Sequence, residues 1–452
     1  MTEVFTPELV DAAVAKHGRG ELRRRLLPAR LVVYFVLGLC LFARESYEEV
    51  IRMLTSGIPG SRILARVNRS SLCRARVRLG EEVLETVFRQ VADPLAVPET
   101  PGAWWRGLRL LALDGTQFDV PDSVSNGDTF DGPSTGGTPF GPAGASRRAR
   151  GDRHPRRPRR RPGGYRDGER RLAYPLASST GPGDLVIADR GFWSVEFVHA
   201  FTTSGAHLPA RLQSNHLGTT QAELPDGSRL PLMRPGRDVH LRAAREGRVL
   251  PKETTYRVIT FTKDDKAVHL GTSLLDTEQY PADELIALYR QRWEIEPAFD
   301  EVKNHLGPGG PLRSRTPEAV RQELWALLAV HQAVRRFAHT AAASGPVLDA
   351  DRLSYLRCVR IARRSVPSQH DTSKRTLTNA GKAAIQKARS RLLPPRSGRD
   401  WPRAIKKPMR WPVLRTPSGR SKVEPGRWAY NQTTKQRKHR GAGRPVLRPQ
   451  PP

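Results

Sequence analysis

Two aspartates follow dense apolar runs at separate places in the sequence. The run LRLLALD ends at Asp114, and DLVIADR carries Asp189, 75 residues further along. Short apolar runs of this kind are typical of buried strands, so both carboxylates are predicted at the ends of strands, where a sheet leaves room for ligands. Carboxylates at such an edge can hold a hard cation such as Mg²⁺. A strand that ends in aspartate is also an ordinary entry to a turn, so neither residue predicts a site alone.

A third carboxylate lies on a predicted helix. Apolar residues recur at steps of three and four from Pro281 to Leu306, which predicts one long helix. Tyr289, Arg292, Glu296 and Lys303 are separated by steps of three, four and seven, so they share one helix face. Such a face suits a metal-binding glutamate flanked by cations that hold DNA phosphates. The alternative is a solvated face with salt bridges.

The three acids together predict phosphoryl transfer. Carboxylates brought together repel one another, and divalent cations relieve that repulsion. Two metal ions about 3.5–4 Å apart can activate the attacking oxygen and stabilise the leaving oxygen. We therefore expect Asp114, Asp189 and Glu296 to bind two Mg²⁺ or Mn²⁺ ions.

These residues stand in motifs that resemble a known family. The spacing Y-x2-R-x3-E-x6-K, within YRQRWEIEPAFDEVKNHL, is similar to the signature of insertion element 4 family transposases. LALDGTQFDVPD resembles the family's first aspartate motif and IADRGFWS its second. The stretch RRLLPARLVVYFVLGLCLFARESYEEVIRML resembles the family's N-terminal domain, and the resemblance covers about residues 5–340.

The resemblance implies a fold, an activity and partners. The fold is mixed α/β, with a ribonuclease H-like catalytic core, a β-rich insertion and a helical domain before the core. The activity is metal-dependent strand cleavage and strand transfer on double-stranded DNA, at element ends and target, by a homo-oligomer. Trp293 matches an aromatic residue of the family that could stack on an unpaired base, with core packing as the alternative.

The sequence divides into four predicted regions. We expect a helical, DNA-binding type of domain over 1–100, the catalytic domain over 105–345 with its β insertion at about 205–280, a helical segment over 346–393 and a flexible basic tail over 394–452. In the first region, Thr6-Pro7 and Ser46 with Glu49 predict helix starts. An Arg-rich helix from about Ser70 to Gly80 is either half of a helix-turn-helix DNA reader or part of an ordinary bundle.

The charge points to a polyanionic partner but does not name the function. The chain has 76 Lys and Arg against 45 Asp and Glu, a net charge of +31, typical of nucleic-acid binding. Residues 147–161 carry +8 and residues 394–452 carry +14, which leaves +9 for the rest. Three dispersed cysteines exclude a disulfide framework or zinc finger and suit a bacterial cytoplasm. The apolar run over 31–43 is too short to span a membrane, so we expect a buried helix there and no membrane partner.

The interval between the two aspartates departs from the family pattern. From Ser123 to Arg171 there is no Leu, Ile or Met, so most of it is predicted to form loops. We interpret 147–162 as a deletion or frameshift that removes two central strands; the alternative is a basic DNA-binding loop. Pro297 is a second departure, since proline disfavours the helical conformation of Glu296 before it. An inactive remnant that only binds DNA therefore remains an alternative, with a non-enzymatic basic nucleic-acid-binding protein as a third class.

Overall fold

The structure is a computed structural model that describes twelve ranges of the chain. They are residues 3–21, 23, 25–56, 67–131, 134–135, 138–139, 143–150, 169–263, 265–290, 295–346, 348–366 and 373–394. At 134–150, 215, 295, 296 and 374 the description covers the backbone alone. The expectation of a flexible tail concerns residues that, apart from Pro394, lie outside these ranges.

The described part of the first hundred residues contains five helices. They are α1 (Pro7–Lys16), α2 (Ala29–Leu41), α3 (Tyr47–Thr55), α4 (Arg69–Leu79) and α5 (Glu82–Val91). The predicted caps are confirmed: Thr6 Oγ1 accepts from Leu9 N at 3.3 Å, and Ser46 Oγ accepts from Glu49 N at 3.0 Å. Both bonds satisfy donors that the first helical turn leaves without a partner.

Strands dominate the middle of the chain. In order, the elements are β1 (Trp104–Trp105), β2 (Leu108–Asp119), α6 (Val124–Phe130), β3 (Ser134–Thr135), β4 (Thr138–Pro139), β5 (Ala143–Arg150), α7 (Glu169–Ala173), β6 (Asp184–Ala188), α8 (Val195–Thr203), β7 (Pro209–Arg211), β8 (Thr219–Glu223), β9 (Arg229–Met233), α9 (Arg237–Arg245), β10 (Thr254–Thr255), β11 (Arg257–Lys263) and β12 (Lys266–Thr272). Single 3₁₀ turns occur at Tyr174–Ser179, Arg190–Phe192 and Ser214–His216.

Helices return after the strands. They are α10 (Ala282–Arg290), α11 (Ile295–Asp300), a π-helix (Glu301–Leu306), α12 (Pro317–Ala343), a 3₁₀ turn (Ala350–Arg352), α13 (Tyr355–Ser365) and α14 (Lys374–Arg389). The prediction of one regular helix over 281–306 is wrong at its end, where the last turn is widened to π geometry. Glu301, the first residue of that turn, is bound by His331 and Arg335 of α12, a tertiary contact that the apolar periodicity does not report.

Most strands join one mixed sheet. Among the described residues its order is β1-β2-β6-β7-β12-β11-β9-β10, with β5 paired to β2 and β8 paired to β9. Strands β2, β6 and β7 are parallel and the other pairs are antiparallel. A turn at 225–228 connects β8 to β9, with Gly227 at φ 77°. Parallel strands put the residues that follow β2 and β6 at the same edge of the sheet.

Part of the weakly apolar interval between the two aspartates is ordered in the sheet. The expectation that strands are missing there is wrong at Ala143–Arg150, which form β5 and pair antiparallel with β2 along eight positions. The physical reason is that ladder bonds use backbone groups, so AGASRRAR can pair without an apolar pattern of its own. Phe130 at the end of α6 is also buried. Residues 151–162, the remainder of the segment interpreted as a deletion or frameshift, lie outside the described ranges.

Three apolar clusters hold these elements together. The largest joins α1–α5 to α12 and α13. The other two cover the sheet, one through Trp193 and Phe197 with α8, the other through Leu185 and Leu288 with α10. The run at 31–43 is confirmed as a buried helix, α2. Among the described residues no helix combines the length and apolar character needed to cross a membrane.

Candidate active site

The structure brings Asp114 and Asp189 to neighbouring positions. Strands β2 and β6 pair in parallel register from Arg109↔Asp184 to Leu113↔Ala188. Each aspartate is the next residue after that last pair. Paired strands lie about 4.8 Å apart, so the two residues flank the point at which β6 leaves the sheet. Both are half-buried.

The backbone around Asp114 is organised for a carboxylate. Gly115 N donates to Asp114 Oδ1 at 2.8 Å, which orients one oxygen of the side chain. On its other side, β2 continues to Asp119 and pairs with β5, where Arg148 stands opposite Asp114 in the ladder. Sequence reasoning placed Asp114 at the end of its strand; in the structure it lies where the parallel neighbour ends.

A further carboxylate approaches the same place. Glu169, the first residue of α7, lies so close to Gly115 that a Cβ at that position would overlap its Oε1. Its Oε2 is 4.0 Å from where a Cβ of Gly191 would stand. Gly115 directly follows Asp114, and Gly191 comes two residues after Asp189. Both glycines face Glu169. Sequence reasoning missed Glu169 because it follows the Arg-rich segment; the paired Asp-Gly and Asp-Arg-Gly motifs were the available signal.

Tyr289 on α10 reaches the same edge of the sheet. Its hydroxyl accepts from Arg211 N at 3.3 Å. Arg211 is the residue after Ala210, which pairs with Ala188 of β6. The tyrosine therefore lies beside β7, the neighbour of the strand that leads to Asp189.

The remaining residues of the predicted helix face are described only in part. Arg292 and Trp293 lie outside the described residues. Glu296 belongs to α11, which packs against β2, but its side chain is not described. The structure therefore places the helix of Glu296 beside the strand of Asp114 and leaves the convergence of the three carboxylates as a prediction.

Lys303 lies further along β2. Its Nζ is 5.4 Å from the centre of the Phe118 ring, and it lines a cavity of about 140 Å³ with Asp119 and Gly307. Burial lowers the pKa of Lys303, and the nearby Asp119 carboxylate opposes that shift. Phe118 is four residues beyond Asp114, about 13 Å along the strand and on the same face. Lys303 is thus a cation at a distance from the aspartates.

The carboxylates at this edge have the ligand chemistry of a hard divalent cation but do not form a complete site among the described residues. Asp114, Asp189 and the neighbouring Glu169 offer carboxylate oxygens, which Mg²⁺ and Mn²⁺ prefer. Within the described ranges no group of three or more His, Cys, Asp or Glu residues is arranged to hold a metal ion. The side chain of Glu296 lies outside that set.

Comparison with known proteins points in one direction. Residues 1–89 match the family described as insertion element 4 transposase N-terminal, and residues 166–332 match the family described as transposase DDE domain. The chain is 29% identical over 355 residues to the transposase InsG for insertion sequence element IS4 of Escherichia coli (strain K12), covering 74% of this chain and 75% of that protein. It is 30% identical over 120 residues to the putative transposase InsZ of the same organism, covering 26% and 38% of the two chains.

A solved structure is also similar. The cryo-EM structure of the piggyBac transposase synaptic complex with hairpin DNA aligns over 85% of this chain and 84% of that chain, with 12% sequence identity and a TM-score of 0.42.

Proposed function

This chain belongs to the insertion element 4 family of DDE transposases, and we propose that it cuts and joins DNA where β2 and β6 end. The observation that carries the proposal is the register of these strands, which sets Asp114 and Asp189 side by side. Glu296, on the helix packed against β2, completes the set of acids. We further propose that the sheet with α10–α12 is a ribonuclease H-like core over 105–345, interrupted by the insertion at 205–280.

Each side chain has a defined part in this proposal. Asp114, Asp189 and Glu296 hold two Mg²⁺ or Mn²⁺ ions, which when bound supply charge stabilisation to the phosphoryl group. Tyr289, Arg292 and Lys303 hold the DNA backbone on either side of the scissile phosphate. Trp293 stacks on an unpaired base.

The proposal also covers the assembly and the remaining regions. Two element ends must be brought together for strand transfer, so the active form is a homo-oligomer on double-stranded DNA. The region 1–100 binds DNA, 346–393 supports it through the core shared by α13 with α2 and α12, and 394–452 adds basic charge.

The experiment compares isosteric substitutions on linear DNA that carries the element ends, with Mg²⁺ or Mn²⁺. Wild type should nick at the element boundary, and Asp114→Asn or Glu296→Gln should slow nicking at least about 100-fold, since removing a metal ligand costs several kcal/mol of transition-state stabilisation. DNA affinity should remain, because it comes mainly from cations that neutralise phosphates. Asp128→Asn, an exposed acid on α6, is the matched control and should cut as wild type does.

The outcomes separate the candidate functions. Nicking that survives Asp114→Asn would remove the sheet edge as the site. Wild type that binds DNA but never nicks would identify an inactive remnant, the alternative favoured by the Arg-rich sequence at 147–161. Replacing the Arg-rich sequence between Ala145 and Gly164, which includes part of β5, with an apolar strand pair should then rescue cutting.

A further inference from the structure

Three guanidinium groups surround one tyrosine ring in the helical part of the protein. The Cζ atoms of Arg69, Arg76 and Arg313 lie 5.2, 5.9 and 4.9 Å from the centre of the Tyr47 ring. Tyr47 itself is buried, with 4% of its surface exposed. Three like charges around one ring repel one another, so the arrangement favours an anion among them.

These residues line a cavity of about 600 Å³, here named the arginine pocket. Its walls come from α3, α4, the segment before α12 and the first turn of α12. The residues that carry the argument are Tyr47, Arg69, Arg76, Arg313, Ser314 and Arg315. No residue of the sheet lines it, so it is separate from the edge at Asp114.

Arg76 forms the floor of the pocket and has only neutral acceptors. It is 4% exposed. It donates to Gln322 Oε1 at 2.8 Å, to Tyr47 Oη at 2.6 Å and to Ser314 Oγ at 3.0 Å. No ion pair to a carboxylate is formed by Arg76 within the described part of the chain. A buried charge without an opposite charge is costly, so Arg76 raises the positive potential of the pocket.

Glu81, Glu82 and Glu318 also line the pocket and partly offset its positive charge. Glu323 accepts from the backbone N–H groups of Arg313 and Ser314, both at 3.0 Å, so Ser314 stands between it and Arg76. Glu81, on the wall formed by the end of α4, lies 3.6 Å from Arg321 Nη1.

Two arginines present donors to the pocket. Nη2 of Arg313 donates to Glu45 O at 2.7 Å, whereas its buried Nη1 has no acceptor among the described residues. Arg69 is exposed on the first turn of α4, and its described contact is the ring of Tyr47. A guanidinium group presents several N–H donors in a plane that matches the oxygens of a phosphate.

We propose that the arginine pocket binds a phosphate of the DNA backbone. Arg69 contacts the phosphate oxygens, and Arg76 and Arg313 supply buried charge beneath them. The N-terminus of α12, a helix of 27 residues, opens onto the same space and adds its positive end. The inference rests on the proposed function for its choice of DNA, and it assigns to α4 a backbone contact that positions DNA without reading its sequence.

Salt dependence of DNA binding tests the pocket. Arg69→Gln removes one charge from an exposed side chain, so the fold should persist and the thermal unfolding midpoint should match wild type. On a duplex that carries the element end, the slope of log K against log [salt] should become shallower by about 0.9, the amount lost with one phosphate contact. Arg74→Gln is the matched control, since Arg74 is exposed on the same helix and does not line the pocket. Equal slopes for wild type, Arg69→Gln and Arg74→Gln would overturn the proposal.

Phosphate ethylation interference provides a second, positional measurement. In wild type, ethylation of the phosphate that the pocket holds should weaken binding. That one interference should disappear in Arg69→Gln and in Arg313→Gln while the others persist. An unchanged pattern in both variants would overturn the assignment.

A third experiment distinguishes a phosphate of the DNA backbone from inorganic phosphate as the ligand of the arginine pocket. If inorganic phosphate raises the unfolding midpoint of wild type but Arg69→Gln leaves the DNA slope unchanged, the pocket binds a small anion and the DNA assignment is wrong. The salt dependence of DNA binding does not depend on the proposed active site, because Asp114→Asn should change nicking and leave the slope of log K against log [salt] unaltered. Failure of the pocket and failure of the proposed active site therefore give different results.

Discussion

Glu301 and Asp189 are carboxylates that differ in burial and in the cations around them. Glu301, in the π-helix, is 7% exposed. Its Oε2 lies 2.9 Å from His331 Nε2 and 2.9 Å from Arg335 Nε, and its Oε1 lies 2.6 Å from Arg335 Nη2. Asp189 is half-buried where β6 ends and the backbone turns away from the sheet.

The difference shows which acids can take a ligand. A carboxylate that two protein cations hold in the core contributes to the fold, whereas a half-buried one where a strand ends can be reached by a metal ion.

The largest expected effect is the loss of stability when Glu301 is replaced. Glu301→Gln should lower the free energy of unfolding by about 3 kcal/mol, because it leaves the buried His331 imidazole without its anion and the half-buried Arg335 guanidinium with Asp351 alone. Equilibrium urea unfolding at neutral pH measures the change. Glu278→Gln, an exposed acid in the loop before α10, is the control and should change it by no more than about 0.5 kcal/mol. A loss below about 1 kcal/mol for Glu301→Gln would mean that the two regions do not differ as described.

Substitution of Asp189 at the sheet edge should leave stability nearly unchanged and weaken metal binding. Asp189→Asn should change the free energy of unfolding by at most about 0.5 kcal/mol, since the residue is half-exposed and next to other carboxylates. In wild type, Mn²⁺ should raise the unfolding midpoint through binding to the native state, and the variant should lose that rise. A Mn²⁺ effect of equal size in Asp189→Asn would show that the ion binds elsewhere.

The elements with strong local signals were predictable. Thr6 and Ser46 cap helices through their own side chains, and the apolar runs before Asp114 and Asp189 form the paired parallel strands. In each case the signal lies within a few neighbouring residues. The fold class could therefore be predicted as mixed α/β from sequence, together with the two strand positions of the site.

The features that sequence reasoning missed depend on distant partners. Arg76 meets Gln322, 246 residues away, so an Arg-rich helix could be taken for a DNA reader when one of its arginines is buried. β5 forms because β2 offers an edge, a condition that AGASRRAR does not encode. The contact of Lys303 with Phe118 of β2 also joins residues distant in sequence.

The smallest expected effect concerns a histidine of the sheet region. His331 of α12 is bound to Glu301, whereas Nδ1 of His207, next to β7, lies 3.4 Å from Ser273 Oγ. Burial lowers the pKa of His207 below 6.5, so between that lowered value and about 6.5 the unfolded chain binds a proton that the native chain does not. Stability is therefore fully present above pH 6.5 and falls as the pH is lowered through the native pKa. His207→Gln should lose less stability than wild type between pH 7.5 and pH 5.5, as measured by urea unfolding at both values. An equal loss in the two proteins would show that other groups carry the acid sensitivity of the sheet.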